Sequence, residues 1–86
     1  MTGMLASSKA GHDKNKIYVI IREEGEYVWL ADGVYKCLTT PKKKRKKHIQ
    51  IIKYYSDEKL VASLKKGDSI TDLEIRRVIN DYQKQQ

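Results

Sequence analysis

The stretch IYVIIREEGEYVWLADGVYKCL, Ile17 to Leu38, decides how the chain is read. Ile17 to Ile21 is rich in β-branched residues and apolar at both parities, the pattern of a strand covered on both faces. Glu23-Glu24-Gly25-Glu26 interrupts it with a polar turn, and Tyr27 to Ala31 follows as a second strand with Tyr27, Trp29 and Ala31 on one face. Asp32-Gly33 is a two-residue hairpin signal leading into a third strand, Val34 to Leu38. This predicts a three-strand meander. Outward from it, a shorter strand is expected near Met4 to Ser8 and a fifth at Ile49 to Ile52. Short strands at such close spacing favour a small closed barrel, because closure removes the edges that an open sheet exposes.

After Lys53 the apolar period changes from two to about 3.6. Asp57 or Ser56 is placed to cap a short helix, Glu58 to Lys66, which carries Lys65 and Lys66 in its last turn and stops at Gly67. Thr71-Asp72-Leu73-Glu74 reads as a capping box, and behind it Ile75, Val78, Ile79 and Tyr82 share one side of a second helix. That side is expected to dock on the barrel, with pairing to a second copy of the chain as the alternative. The expected organisation is a barrel over residues 1–53, with a basic segment at 41–48, and a helical extension over 54–86 that packs on it without forming a separate domain.

At 86 residues the chain fits one domain with a small core, burying about 60% of the surface its unfolded form exposes. Its net charge of +7 is one-sided. Residues 1–53 hold 12 Lys or Arg against 5 Asp or Glu, whereas residues 54–86 hold 6 of each. Such a field points to an extended anionic partner. Cys37 is the only cysteine, which excludes an internal disulfide and a cysteine-based metal cluster and makes a reducing cytoplasm the expected compartment. Neither an export signal nor an apolar run long enough to span a membrane is evident.

TTPKKKRKKHIQII, Thr39 to Ile52, carries six consecutive cations. A nucleic-acid backbone, an acidic membrane surface or the acidic groove of a transport receptor would each attract them. The membrane reading lacks an apolar anchor, and the receptor reading needs a free extended segment where a strand is expected. Repulsion among six like charges is relieved most simply by a polyanion. Lys9, His12, Lys14 and Lys16 form a second basic cluster around the first turn, where Gly11 either admits an RNA backbone or supplies a positive φ. Tyr35 is the best candidate for stacking on a base, while Tyr18, Tyr27 and Trp29 are expected to pack in the core. Glu23, Glu24 and Glu26 are expected to repel RNA from their edge. His12 and His48 lie far apart with no cysteine partner, so no metal site is expected. Cys37 reads as a small core residue. No nucleophile-histidine-carboxylate arrangement and no phosphate-cradling glycine motif suggests an enzyme or a cofactor.

The segments SSKAGHDKNKIYVII, YVWLADGVYKCL and PKKKRKKHIQ together resemble bacterial KOW-domain RNA-binding proteins, which are similar to a KOW-containing large-subunit ribosomal protein family of archaea and eukaryotes. The resemblance rests on Lys9-Ala10-Gly11, Asp13-Lys14, Tyr18 to Ile21, Ala31-Asp32-Gly33, Pro41 to Lys47 and His48-Ile49, and covers about residues 3–53. Asn15 stands where KOW motifs usually have glycine, and His12 where a basic residue is common; Asn is the side chain most tolerant of a left-handed backbone. The resemblance implies an SH3-like barrel that binds RNA, ribosomal RNA above all, at the ribosome or in its assembly and translation, with ribosomal proteins as further partners. Together with the charge pattern and the Tyr35 ring, it gives as candidate RNA contacts Lys9, Gly11, His12, Lys14, Asn15 and Lys16, Tyr35, and Lys42, Lys43, Lys44, Arg45, Lys46, Lys47 and His48. The Lys9 to Lys16 loop and the Lys42 to Lys47 run are expected to form one phosphate-binding surface; with six phosphates neutralised, log affinity would fall with log salt at a slope of about −5 on duplex and −4 on single strands. The alternatives are an adaptor that grips an acidic protein and a DNA-binding KOW module of transcription. Oligomeric state is left open.

Overall fold

In a computed structural model that describes residues 1–9, 11 and 14–85, the apolar runs become β1 (Met4–Ser8), β2 (Ile17–Glu24), β3 (Tyr27–Ala31), β4 (Lys42–Arg45) and β5 (Ile49–Ser56). A 3-10 turn, Lys46–His48, joins β4 to β5, and two helices follow, α1 (Glu58–Lys66) and α2 (Asp72–Lys84). The strands form one antiparallel sheet in the order β4-β3-β2-β1-β5. The sheet is open. Among the described residues β4 and β5 are edge strands with no ladder between them, so the expected closure is not part of the hydrogen-bonded sheet. One edge is made wholly of Lys and Arg, a composition that discourages pairing with another chain.

The expected third strand, Val34 to Leu38, is instead an irregular segment, and Lys42–Arg45 takes its place beside β3. Asp32 explains the change. Its Oδ1 accepts from the backbone N–H groups of Val34, Tyr35 and Lys36 at 2.8–2.9 Å, capturing donors that a ladder would need. The Leu38 N–H goes to Asp72 Oδ1 at 2.8 Å, which ties the segment to the start of α2. Cys37 is correspondingly half-buried in this segment rather than held in a strand.

Alternation along the strands builds a core on each side of the sheet. On the inner face Ala6, Tyr18, Ile20, Val28, Leu30 and Ile49 form one cluster. On the outer face Leu5, Val19, Ala31 and Ile52 meet Leu60 of α1 and Ile75, Val78, Ile79 and Tyr82 of α2. The apolar side of α2 thus docks within the same chain. Both helices begin, and α1 ends, as their residues dictate: Asp57 Oδ1 accepts from the Leu60 N–H, Thr71 Oγ1 from the Glu74 N–H, and the Gly67 N–H closes α1 on Leu64. Tyr82 also accepts or donates a 2.8 Å hydrogen bond with Tyr54 and lies against the Tyr55 ring, and that bond, with burial, pushes the Tyr82 hydroxyl pKa up.

Gly33 is where the irregular segment presses on α2. Its φ is +79°, and a Cβ there would lie 2.3 Å from the Asp72 carbonyl oxygen and 2.8 Å from Arg76 Cγ. A left-handed backbone alone costs an L-residue about 1–2 kcal/mol. We therefore expect Gly33→Ala to lower stability by roughly 2 kcal/mol or more in urea unfolding, against less than about 0.5 for the exposed neighbour Val34→Ala. Equal losses for the two would contradict this packing.

Candidate nucleic-acid interface

The basic run is a strand, so its side chains alternate between two faces. Paired with β3 in the register Tyr27 with Arg45, Val28 with Lys44, Trp29 with Lys43 and Leu30 with Lys42, it sends Lys43 and Arg45 to the outer face beside two aromatic rings. Lys43 Nζ lies 4.3 Å from the Tyr27 ring centroid and 5.5 Å from that of Trp29, and Arg45 Cζ is 5.7 Å from Tyr27. A register shift in β2 between Ile20 and Arg22 brings Arg22 opposite Trp29, with Cζ 4.5 Å from the ring centroid. Without that extra residue Arg22 would point to the inner face. The result is a ladder in which cations and rings alternate.

Lys42 and Lys44 go the other way, opposite Leu30 and Val28, and are half-buried. Lys44 Nζ donates to Ser8 Oγ, although β4 and β1 are separated in the sheet by two strands. The sheet therefore curls toward its inner face. Burial, and next the nearby charge of Lys44, pushes the Lys42 pKa down. These two stems cover the inner core with their methylenes, as amphipathic side chains do.

Beyond β4 the 3-10 turn changes direction again. Lys46 pairs with Glu23 through its ammonium and bonds the Glu26 carbonyl through its N–H at 2.8 Å. Lys47 and His48 are exposed. The loop after β1 reaches this turn, for the Lys9 N–H donates to the His48 carbonyl at 2.9 Å. Its base is held by buried Ser8, whose carbonyl accepts from the Asn15 N–H at 3.0 Å and whose N–H donates to the Lys16 carbonyl at 3.2 Å. Asn15 has φ 71°, the only positive value outside glycine among the described residues, so it reproduces the backbone its glycine counterpart would supply. Gly11 has φ +79° and nothing within 4 Å of where its Cβ would be, so both the conformational and the open-approach readings fit it. Ala10, His12 and Asp13 lie outside the described residues. Lys14 is exposed at the loop's base, and Lys16 reaches not the basic run but Tyr35, with Nζ 5.6 Å from the ring centroid.

The described residues among those expected at the site thus divide: Lys43 and Arg45 lie on the outer face, Lys42 and Lys44 turn inward, Lys9, Lys47 and His48 meet at the junction of loop and turn, Gly11, Lys14 and Asn15 belong to the loop, Lys46 pairs with Glu23, and Lys16 with Tyr35 stands apart from the basic run. Arg22, Tyr27 and Trp29 join the outer group, and sequence reasoning missed them by assigning the rings to the core. Their signal was the alternation of Tyr27 and Trp29 with Val28 and Leu30, whose meaning depends on which strand lies alongside. The acidic loop, expected to repel RNA, has a more specific part: Glu23 neutralises Lys46 and Glu24 pairs with Arg22. No cluster of His, Cys, Asp or Glu suited to a metal ion occurs among the described residues, and no helix there is long and apolar enough to cross a membrane.

Comparison of the chain with protein-family models and with curated proteins finds no match.

The Lys46 hydrogen bond, followed by that of the amino terminus, holds the Glu23 carboxyl below its ordinary value of 4.5. A depressed carboxylate stabilises the fold above its unfolded pKa, and that contribution is lost as pH falls through the lower folded value. In Lys46→Ala, Glu23 should titrate closer to 4.5 by side-chain carboxyl NMR. Unchanged titration would show that the pairing does not govern this carboxylate.

Proposed function

We propose that this chain binds RNA, chiefly single-stranded, on the outer face of the β3–β4 ribbon. The observation that carries the reading is the cation and ring ladder of Arg22, Trp29, Lys43, Tyr27 and Arg45. A single strand presents phosphates and unstacked bases together, and this surface offers charge to the first and the uncovered parts of the half-buried Tyr27 and Trp29 rings to the second. A duplex hides its base faces and would use only the charge. The junction formed by Lys9, Lys47 and His48 extends the cationic surface around the edge.

The mechanism is electrostatic attraction followed by stacking. Lys43, Arg45 and Lys47 release counterions as they meet phosphates, while Trp29 and Tyr27 supply sequence-tolerant contact. The rigid sheet holds the rings at strand spacing, so little ordering remains for the protein to undergo on binding. Glu23 and Glu24 limit the charge that Lys46 and Arg22 contribute.

The finer fold reading belongs here too. A last strand beside the first, a 3-10 turn before it, and an inner core spanned by the Lys44 to Ser8 contact support an SH3-like barrel of the KOW type. On that reading the RNA is ribosomal and the setting is the ribosome, its assembly or translation, as the KOW resemblance implies.

Because strand alternation leaves Lys43 and Arg45 outward and the turn after β4 exposes Lys47, three cations of the run are available, and log affinity for single-stranded RNA should fall with log salt at a slope of about −2. Lys43→Ala combined with Arg45→Ala should weaken binding about tenfold at moderate salt and flatten that slope, and binding should quench the fluorescence of Trp29, the sole tryptophan. A slope near zero, or full affinity in the double variant, would refute the proposal. Competition with DNA of equal length reports the sugar preference.

A further inference from the structure

A second site lies away from the ladder, where the irregular segment after β3 faces α2. There a cleft of about 490 Å³ is bounded by Tyr35, Lys16, Arg76, Asn15, Asn80 and Gln83, with Ile17 and Ile79 contributing apolar surface. Its volume is within the range of small-ligand sites, roughly 300–1,000 Å³. Tyr35 is 78% exposed, and among the described residues the cation over its ring is Lys16. The segment carrying it is nonetheless fixed, by the three N–H groups on Asp32 and by the Leu38 to Asp72 bond.

We infer that this cleft receives one unstacked nucleobase of the bound RNA strand, with the base against the Tyr35 ring. The lining fits that occupant better than a bare anion. An exposed ring on a fixed backbone offers a stacking face without an ordering cost. Three carboxamides, Asn15, Asn80 and Gln83, each carry both a donor and an acceptor, the complement of a base's polar edge. Lys16 and Arg76 stand at the same cleft for the phosphate attached to that nucleotide. Asp32, also in the lining, disfavours a free phosphate, and its Oδ2, which takes none of the three backbone N–H groups held by Oδ1, is the acceptor for an exocyclic amine. The inference rests on the RNA-binding proposal, and it adds a base-selective element to an otherwise charge-driven surface.

The test titrates the ¹⁵N-labelled chain with a mixed-sequence single-stranded RNA decamer, following the side-chain amides of Asn80 and Gln83 by NMR and Trp29 by fluorescence. A parallel strand carries abasic ribose in place of every base, and a third titration uses free nucleoside monophosphates. We expect both amides to shift with the intact strand and not with the abasic one. Tyr35→Ala should weaken binding of the intact strand about tenfold and leave the abasic strand within twofold. Trp29 quenching with silent amides would overturn the base site and leave the outer-face reading standing. Equal shifts with the abasic strand would overturn base insertion, and shifts of full size with free monophosphates would assign the cleft to a small nucleotide instead. Silence of both reporters would reject the cleft along with the RNA reading itself.

Discussion

Four backbone pairings between β3 and β4, from Tyr27 with Arg45 to Leu30 with Lys42, decide where the charges of the basic strand go. A flexible Lys and Arg tract would turn all its cations toward one polyanion. A strand does not have that freedom, because successive side chains must leave opposite faces of the ladder. Lys43 and Arg45 thus come to lie over Tyr27 and Trp29, while the stems of Lys42 and Lys44 cover apolar residues on the other side. Each exposed cation and ring contact contributes about 0.5–1 kcal/mol, so the ladder helps hold an edge strand that, among the described residues, has no strand partner on its far side. The same geometry that stabilises the edge leaves the rings and charges at the surface.

The rest of the molecule supports that ribbon from behind and alongside. The curl of the sheet, spanned by Lys44 and Ser8, gives a mainly apolar inner core to strands that, among the described residues, no helix covers there. On the outer face α1 and α2 cover the Leu5, Val19, Ala31 and Ile52 end and leave the Tyr27 and Trp29 end to Arg22, Lys43 and Arg45, against which both rings are half-buried. Ala31, Trp29 and Tyr27 share one face, yet only Ala31 is fully buried. Helix coverage, rather than strand parity, therefore separates core from surface on this face. The cleft beside Tyr35 runs along α2, next to the point where Gly33 lets the backbone approach Asp72 and Arg76 closely.

Much of this was legible in the residues. The capping groups Asp57 and Thr71, the apolar side of α2 and the strands at Met4, Ile17, Tyr27 and Ile49 emerge from patterns local to each element. Asn15 as a left-handed residue was also readable, since few other side chains tolerate that backbone. The third strand was not. Asp32-Gly33 is a strong hairpin signal, but the Asp32 carboxylate spends itself on three following N–H groups and turns the chain away. A run of Lys and Arg has poor strand propensity, and what makes Lys42–Arg45 a strand is the partner face of β3, a tertiary fact. The aromatic ladder and the grouping of Asn15, Asn80 and Gln83 depend on that same long-range assembly, so no local pattern announces them.

The most direct measurement of the β3–β4 register is the ring current of Trp29 on the lysines of β4 in the free protein. With the register described, the side-chain methylene protons of Lys43 should be shifted upfield, and the shift should vanish in Trp29→Leu, while those of Lys44 keep ordinary positions in both proteins. Upfield shifts on Lys42 or Lys44 instead of Lys43 would mean that the strand is slipped by one residue, and the division of charge between the two faces would be the reverse of the one described.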